Sequence, residues 1–396
     1  MSLEAPPLSL YLHFPWCVRK CPYCDFNSYT LNGELPEAAY REALTRDLRE
    51  QAAQPQVAGR ALTSIFMGGG TPSLFSPTAI GQVLDEARAL FGFAPDIEIT
   101  LEANPGTIER GRFAEYAAVG VNRVSLGAQS FGAQQLASLG RIHSADVTVR
   151  AAEELHAAGI TNFNLDLMYG LPGQTVEGAR GDLRQALVLA PAHLSHYHLT
   201  LEPGTVFGAQ PPPLPAEDSV EAMLEACAAE LAGAGFGQYE VSAYARAGRR
   251  CRHNLNYWTF GDYLGAGAGA HGKLTDVAAG TILRTTHTRE PRRYQAGTPL
   301  ARRVVPMAEL PFEFMMNGLR LNEGFSTRLF EARTGLSFDE VSPTLSKLQA
   351  RGLMSPSDGG WAPSLAGRRF LNDLLLEFLP DSVAPADPAL SRPKAV

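Results

Sequence analysis

The sequence Cys17-Val-Arg-Lys-Cys21-Pro-Tyr-Cys24-Asp-Phe26 directly follows an apolar segment, Ser9–Phe14, that has the pattern of a β-strand. It contains three of the five cysteines of the chain. Such clustering in a reducing compartment favours metal binding over disulfides. A structural zinc site requires four ligands, whereas three cysteines on an iron–sulfur cluster leave one iron open for a small molecule. Zinc completed by a distant His or Cys, for example Cys251, is the alternative.

Apolar, β-branched segments alternate with helical segments around this motif. The predicted strands are Ser9–Phe14, Leu62–Met67, Ile97–Glu102, Asn122–Leu126, Phe163–Met168 and Leu194–Leu201. The predicted helices lie near residues 36–53, 77–91, 107–118, 146–158, 176–190 and 216–234. Six consecutive β–α units imply a parallel sheet covered by helices. Polar residues lie on or just after nearly every strand, which favours a partial (β/α)6 TIM-like barrel over a doubly wound sheet.

The pattern changes along the chain and predicts four parts. Residues 1–237 form the partial barrel, and residues 238–305 form a strand-and-loop extension. Residues 306–379 form a small C-terminal helical domain that is winged-helix-like, and residues 380–396 form a disordered tail rich in Pro, Ala and Asp. Residues 308–379 carry nine acidic and seven basic side chains, so this domain lacks the basic surface of a DNA-binding module.

Composition excludes several classes of protein. The chain has 396 residues and a formal net charge of −7, which argues against generic binding to nucleic acid or to an anionic membrane. It has no apolar run of the roughly 18 residues that a membrane span needs. Its N-terminal residues do not have the pattern of a signal peptide. We therefore expect a cytoplasmic protein, either a monomer or a homodimer.

Chemically useful side chains recur at the predicted strand ends. Gly68-Gly69-Gly70-Thr71-Pro72 would let the backbone approach a ligand closely. Glu102 can accept a hydrogen bond from a ribose hydroxyl or an amino group, Gln129 can bind a sugar, and Arg141 can pair with a carboxylate. Asp166 lies within a strand, where an unpartnered acid is costly. A tight turn, a helix cap or a salt bridge would explain each one singly, but their order along successive strands predicts one ligand site.

Together these motifs resemble the radical S-adenosylmethionine (SAM) superfamily and, within it, the oxygen-independent coproporphyrinogen III oxidase-like family. The resemblance covers about residues 8–380 and is carried by CVRKCPYCDFNSY, GGGTPS, EANP, SLGAQSF, LDLMYGLPGQT and YHLTLEPGT. It implies that Cys17, Cys21 and Cys24 hold a [4Fe-4S] cluster, one electron from which cleaves SAM in that superfamily. It also implies that SAM is lined by Tyr11, Tyr23, Gly69, Gly70, Thr71, Glu102, Gln129, Arg141 and Asp166.

Two branches of this family differ in features that the sequence shows. The oxidases carry a fourth cysteine two residues after the third, where this chain has Phe26, and a longer N-terminal extension. The motifs His253-Asn-Leu-Asn-Tyr-Trp258 and GDYLGAGAGAHG, which ends with His271 and Gly272, are instead similar to the HemW heme chaperones. That resemblance implies a heme-binding protein that delivers heme to acceptor proteins, membrane-associated respiratory enzymes among them. It also implies a second partner, an electron donor that reduces the cluster. The alternatives are a coproporphyrinogen III oxidase and another radical SAM enzyme.

The sequence does not decide which residue would ligate the heme iron. Heme iron takes an axial His, Cys or Tyr, and His253, Cys251 and Tyr257 offer all three, while Trp258 offers a flat apolar face. Asn254 belongs to the same motif. The alternative is that these residues cap a turn and pack the open side of the barrel. We assign no catalytic residue, and we expect no coproporphyrinogen III oxidase activity, although SAM cleavage stays open.

Overall fold

The computed structural model describes residues 3–107 and 112–380. Its main feature is a sheet in which all six predicted strands pair in chain order and in parallel. These strands are β1 (Leu8–Phe14), β2 (Leu62–Gly69), β3 (Phe93–Ala103), β4 (Arg123–Gln129), β5 (Phe163–Tyr169) and β6 (His193–His198). The predicted strand pattern is therefore confirmed.

Helices follow the strands and cover one face of the sheet. They are α1 (Glu37–Ala52), α2 (Pro77–Phe91), α3 (Arg112–Ala118), α4 (Ala133–Ser138), α5 (Ala145–Ala157), α6 (Val176–Val188), α7 (Val206–Ala209) and α8 (Glu217–Gly233). The side chain of Ser76 accepts a hydrogen bond from the N–H of Ala79, and α2 begins with a proline. Thr175 caps α6 in the same way. These residues satisfy first-turn N–H groups that have no partner inside the helix.

Side-chain alternation divides the barrel wall into two environments. Leu10, Leu12 and Phe14 of β1 belong to the main apolar core between the sheet and the helices. Ser9 and His13, on the other face of β1, are also buried, and they point into the barrel interior. The core is therefore outside the barrel wall, and the interior is lined by polar groups that need partners.

The chain after residue 238 extends this sheet at both edges. Strand β7 (Ala243–Ala245) pairs antiparallel with β6, and the strand β8 (Asp262–Ala266) pairs parallel with β1. An antiparallel meander continues outward from β8 as β9 (His271–Asp276), β10 (Thr281–Thr286) and β11 (Ala301–Val304). The helices α9 (Arg252–Trp258) and α10 (Pro291–Gln295) lie between these strands.

The two ends of the sheet do not pair with each other in the described residues, so the barrel is open. This arrangement confirms the predicted partial barrel. The segment predicted as an extension supplies a seventh parallel strand, β8, which the sequence pattern alone did not reveal. The domain boundaries themselves stay a prediction.

A second apolar core organises the C-terminal module. Its elements are the helices α11 (Leu310–Gly318), α12 (Thr327–Thr334), α13 (Ser342–Ala350), α14 (Leu365–Arg369) and α15 (Leu371–Leu376) and a hairpin of β12 (Met354–Ser357) and β13 (Gly360–Pro363). Helices followed by a hairpin give the predicted winged-helix-like form. Phe260 and Ile282 of the preceding segment enter this core. Residues 381–396, the predicted tail, lie outside the described residues. Among the described helices, none is long and apolar enough to span a membrane.

A buried ion pair joins the first residue of β8, Asp262, to Lys273 of β9. The Lys273 Nζ atom is 3.0 Å from Asp262 Oδ1 and also donates to the carbonyl of Phe260. Arg60 Nη1 donates to the other carboxylate oxygen of Asp262 at 2.9 Å. Burial lowers the pKa of Lys273 from 10.5 to about 8, and the neighbouring carboxylate opposes that shift. Asp262 is therefore the counter-charge for two cations.

We expect Asp262→Ala to lower the free energy of unfolding by about 3–5 kcal/mol, because it leaves Lys273 and Arg60 without a buried counter-charge. Urea denaturation at pH 7 measures the change. Glu290→Gln is the control, since the pair of Glu290 with Arg293 is exposed and contributes little. A loss no larger than that of the control would contradict this role of Asp262.

Candidate functional site

The cysteine loop closes on itself directly after β1. Trp16–Cys17 pairs with Tyr29–Thr30, so both ends of the loop are held together. Lys20 is itself a loop residue, and its ammonium donates hydrogen bonds to the carbonyls of Phe26 at 2.9 Å and Ser28 at 3.1 Å. All three cysteines of the loop are free and half-buried. The loop therefore presents three thiols at the carboxyl end of the first barrel strand.

The Arg141 guanidinium lies beside one of the three thiols. Arg141 Nη1 is 3.6 Å from the Cys21 sulfur, and the buried Arg141 Nε has no hydrogen-bond partner among the described residues. Burial raises the pKa of the Cys17 and Cys24 thiols. A bound metal centre reverses this effect, because a coordinated thiol loses its proton outright. The donor set and the adjacent guanidinium thus fit an anionic metal–thiolate group.

The same donors do not form a site for a single ion. In the described part of the chain, no three His, Cys, Asp or Glu side chains are arranged to hold one metal ion. Zinc requires four ligands that converge on one point, whereas an iron–sulfur cluster is held through separate irons. Cys251, the fourth ligand of the zinc alternative, lies against Glu98 in the barrel interior, with the sulfur 3.5 Å from Oε1. Cys251 is therefore not placed to complete a four-ligand zinc site at the cysteine loop.

The glycine segment after β2 packs directly against the start of the loop. The N–H of Gly70 donates to the carbonyl of Phe14 at 2.7 Å, and that of Thr71 donates to the carbonyl of Trp16 at 2.8 Å. Gly69 has a φ of 107°, and a Cβ there would lie 2.3 Å from the His13 ring. A Cβ at Gly70 would lie 2.6 Å from the Trp16 carbonyl oxygen. Side chains are excluded here, so the backbone itself faces the site.

Two acids face the interior behind the glycines. Glu102 accepts a hydrogen bond from the N–H of Gly69 at 3.2 Å. Asp166 accepts hydrogen bonds from Asn164 at 2.8 Å and from Ser125 at 3.2 Å. Burial, and secondly the charge of Asp166, raise the pKa of Glu102 from 4.5 to about 8. Burial also raises the pKa of Asp166. Glu102 and Asp166 can therefore accept hydrogen bonds from a ligand or pair with a positive charge on it.

The remaining positions predicted to line SAM complete this region. Gln129 ends β4 with a φ of 67° and accepts a hydrogen bond from the Tyr197 hydroxyl at 2.7 Å. Arg141 Nη2 donates to the carbonyl of Gly127 at 2.6 Å. Tyr23 packs against Phe207 with ring centroids 6.5 Å apart. The structure thus brings the strand ends of β2 to β4 and the cysteine loop together at one mouth.

Tyr11 lies deeper and connects the mouth to the interior. Its hydroxyl is 3.0 Å from His13 Nδ1, and His13 Nε2 is 2.9 Å from the carbonyl of Asn27 in the cysteine loop. Burial lowers the pKa of His13 to about 4, so this ring is neutral. His13 therefore acts as a neutral link between the first strand and the loop.

The motif His253–Trp258 forms helix α9, which packs inside the barrel against β2. His253 Nδ1 is 3.1 Å from Ser64 Oγ, and His253 Nε2 is 2.8 Å from the Tyr257 hydroxyl. The imidazole is buried and lies 5.2 Å from the Phe66 ring, between centroids. Burial lowers the pKa of His253 to about 3. Both ring nitrogens are occupied within the protein.

The other heme candidates of this motif are also inside the fold. Cys251 is buried beside Glu98, and Trp258 is buried with the Arg320 guanidinium 4.4 Å from its ring centroid. Asn254 is half-buried. The structure does not bring these residues to the cysteine loop.

A histidine that sequence reasoning missed lies in the same interior. His193 Nδ1 is 2.7 Å from Asn164 Oδ1, and its Nε2 is 2.8 Å from the Tyr239 hydroxyl. Since Asn164 also donates to Asp166, His193 connects Asp166 to the segment after β6. Alternation along β6, which places His193, Ser195 and Tyr197 on one face, was the available signal.

Comparison with known families agrees with this geometry. The profile of the Radical SAM superfamily matches residues 11–186, and that of the HemN C-terminal domain matches residues 305–370. A parallel partial barrel with three cysteines after its first strand therefore defines a radical SAM protein.

Relatives narrow this class to one family. The chain is 50% identical to heme chaperone HemW of Escherichia coli (strain K12) over 95% of its own length and 99% of the relative. It is 47% identical to heme chaperone HemW of Haemophilus influenzae, again over 95% and 99%. The chain belongs to the HemW family. The solved structure of coproporphyrinogen III oxidase (HemN) from Escherichia coli shares its fold, with a TM-score of 0.79 at 24% identity over 94% of this chain and 90% of that one.

We expect Glu102→Gln to stabilise the ligand-free protein at high pH. Because the pKa of Glu102 is raised, the folded state keeps this proton at pH values where the unfolded state has lost it. The contribution of Glu102 to the free energy of unfolding therefore falls as pH rises from 4.5 toward 8. The glutamine variant should match the wild type near pH 4.5 and exceed it at pH 9, on the order of a few kcal/mol. Chemical denaturation at both pH values measures the difference. A difference between the variant and the wild type that does not depend on pH would contradict the raised pKa of Glu102.

Proposed function

We propose that this protein binds heme and delivers it to acceptor proteins, while a [4Fe-4S] cluster and SAM occupy the mouth of the barrel. One observation carries the proposal. The chain aligns over 95% of its length, at 50% identity, with a relative whose name is heme chaperone HemW. Because the alignment covers 95% of the chain, the proposal applies to the chain as a unit and not to one domain of it.

Residues at the mouth would hold the two resident cofactors. Cys17, Cys21 and Cys24 would ligate the cluster, which supplies one electron and an open iron when bound. Arg141 places a positive charge beside the Cys21 sulfur and lowers the cost of an anionic centre there. The loop contains no further cysteine, so these three thiols are all the cysteine ligands that it can provide to the cluster.

The residues expected to line SAM have complementary chemistry. Gly69 and Gly70 present backbone without a side chain, which allows close approach of an amino acid moiety. Glu102 and Asp166 can accept hydrogen bonds from ammonium or hydroxyl groups. Tyr11, Tyr23, Thr71, Gln129 and Arg141 complete the proposed set. The pKa of Glu102, near 8 without a ligand, would fall when a cation binds beside it.

The heme chaperone is preferred to the oxidase because of one position in the loop. Phe26 occupies the place two residues after Cys24 where the oxidases carry a further cysteine, and its side chain is 52% exposed. An exposed aromatic ring at the mouth suits an apolar macrocycle. The likeness to the solved oxidase shows the shared fold alone.

The partners of the proposed function are acceptor proteins and an electron donor. Heme delivery requires a protein that takes the heme, and cluster reduction requires a reductant. The charges on the C-terminal module are nearly balanced, which suits protein contacts better than nucleic acid.

We expect Cys21→Ala to abolish the roughly 400 nm absorbance of an iron–sulfur cluster in anaerobically reconstituted protein. Cys227→Ala is the matched control, because Cys227 is a buried residue of α8 in the main apolar core. The control should keep the absorbance and the bound iron. An intact cluster spectrum in Cys21→Ala would remove the ligand assignment.

The proposed function is tested with reconstituted protein given SAM, a reductant and coproporphyrinogen III under anaerobic conditions. We expect no protoporphyrinogen IX by chromatography, because the fourth cysteine of the oxidases is Phe26 here. The same preparation should bind heme at a fixed stoichiometry and release it to an apo-hemoprotein. Formation of protoporphyrinogen IX would establish the oxidase instead, and absence of heme binding would reject the chaperone.

A further inference from the structure

Heme delivery needs an imidazole, thiol or phenol that can reach the iron, and the structure limits which histidine can do so. All nine histidines of the chain lie in the described residues. His253 would have to break two hydrogen bonds inside the barrel before it could ligate iron. Only His156, His198 and His271 are exposed among the described residues, and His156 lies on α5, where its ring bonds the carbonyl of Leu189. His198 and His271 therefore remain.

The topology places both of these histidines at the mouth. His198 is the last residue of β6, at the carboxyl edge of the parallel sheet. His271 is the first residue of β9, which runs antiparallel to β8 and therefore begins at that same edge. They lie on opposite sides of the barrel, since β8 pairs with β1 at one side and β6 ends the parallel strands at the other.

The His271 ring is oriented and has a free nitrogen. Its Nδ1 is 3.2 Å from the Thr286 hydroxyl, and Nε2 has no hydrogen-bond partner within the described residues. A ligating imidazole usually has its second nitrogen held in this way, which fixes the ring and its tautomer. Burial, and then the charges of Arg284 and Arg289, lower the pKa of His271. The ring is thus kept in the neutral form that binds metal.

Close backbone packing holds this histidine beside the cysteine loop. A Cβ at Gly265 would lie 2.0 Å from the His271 carbonyl oxygen, so only glycine allows β8 and β9 to approach so closely. The side chain of Asn27 donates to the carbonyls of Ala268 and Arg289, each at 2.9 Å. Asn27 directly follows Phe26. The turn that carries His271 is therefore tied to the aromatic end of the loop.

We call residues 26–29, 267–271 and 286–289 the lip. Two aromatic rings of the lip are exposed, Phe26 at 52% and Tyr29 at 36%. The exposed Arg289 guanidinium uses Nε to donate to Asn27 Oδ1 at 3.3 Å. An apolar face with an arginine beside it suits a planar macrocycle that carries carboxylates. At His198 the neighbours are the Tyr169 ring and Gly170, and no cation contributes to its pKa.

We infer that the lip is the heme site and that His271 supplies the axial imidazole to the heme iron through Nε2. The inference rests on the proposed function, since it assumes that the protein binds heme. It assigns the porphyrin face to Phe26 and Tyr29 and a propionate to Arg289. It also gives His253 a different role, which is to order the barrel interior behind Tyr11.

Heme titration of the cluster-reconstituted full-length protein tests this assignment. The probes are ferric heme difference spectra and electron paramagnetic resonance of the ferric iron in the wild type, His271→Ala and His198→Ala. We expect His271→Ala to weaken heme binding by about tenfold or more and to change the axial-ligand spectrum. Free imidazole should restore the wild-type spectrum in that variant, which a folding defect would not allow. His198→Ala is the matched control from the opposite side of the mouth.

The outcomes separate this inference from the proposed function. Weakened binding in His271→Ala with imidazole rescue, and wild-type affinity in His198→Ala, would support the lip. Unchanged affinity and spectrum in His271→Ala, or a loss confined to His198→Ala, would overturn the inference while heme binding stands. A wild type with a verified cluster and no heme binding would overturn both.

Discussion

Two backbone hydrogen bonds between the end of β1 and the glycine segment after β2 are the constraint on which the site depends. Gly70 donates to the carbonyl of Phe14 and Thr71 to the carbonyl of Trp16, so the segment that begins the cysteine loop is held against bare backbone. A side chain at Gly70 would push these elements apart, because no free volume exists beside the Trp16 carbonyl. The thiols and the expected ligand surface are thereby held at one fixed separation.

Strand β1 is held on its other side by β8 and by a buried tyrosine. The Tyr40 hydroxyl donates to the carbonyl of His13 at 2.7 Å and accepts from the N–H of Ala268 at 2.9 Å. One phenol thus connects helix α1, the end of β1 and the turn that leads to His271. The cysteine loop and the lip are consequently attached to the same part of the sheet, and any heme held at the lip would lie beside the loop.

The polar barrel interior explains why α9 is inside the fold. The Ser9 hydroxyl is hydrogen-bonded to that of Ser64 at 2.7 Å, and the Ser64 hydroxyl is hydrogen-bonded to His253. Polar side chains of β1 and β2 thus find a partner in a helix inside the barrel. The Glu98 carboxylate accepts a hydrogen bond from the backbone N–H of Arg252 at 2.9 Å. A carboxylate and hydroxyls buried without hydrogen-bond partners would destabilise the fold. The motif in α9 therefore has a structural explanation that does not involve a ligand.

The sequence by itself determined the six strands, their helices and the cysteine loop, because apolar alternation and cap residues act between neighbours along the chain. It also predicted Glu102, Gln129, Arg141 and Asp166 as ligand-binding residues, since the carboxyl ends of parallel strands meet at one edge. Only the tertiary structure decided that β8 pairs beside β1, that both nitrogens of His253 are occupied and that the turn before His271 is hydrogen-bonded to Asn27. These facts depend on pairings between residues far apart in the chain, and local periodicity carries no information about which distant strand becomes a neighbour.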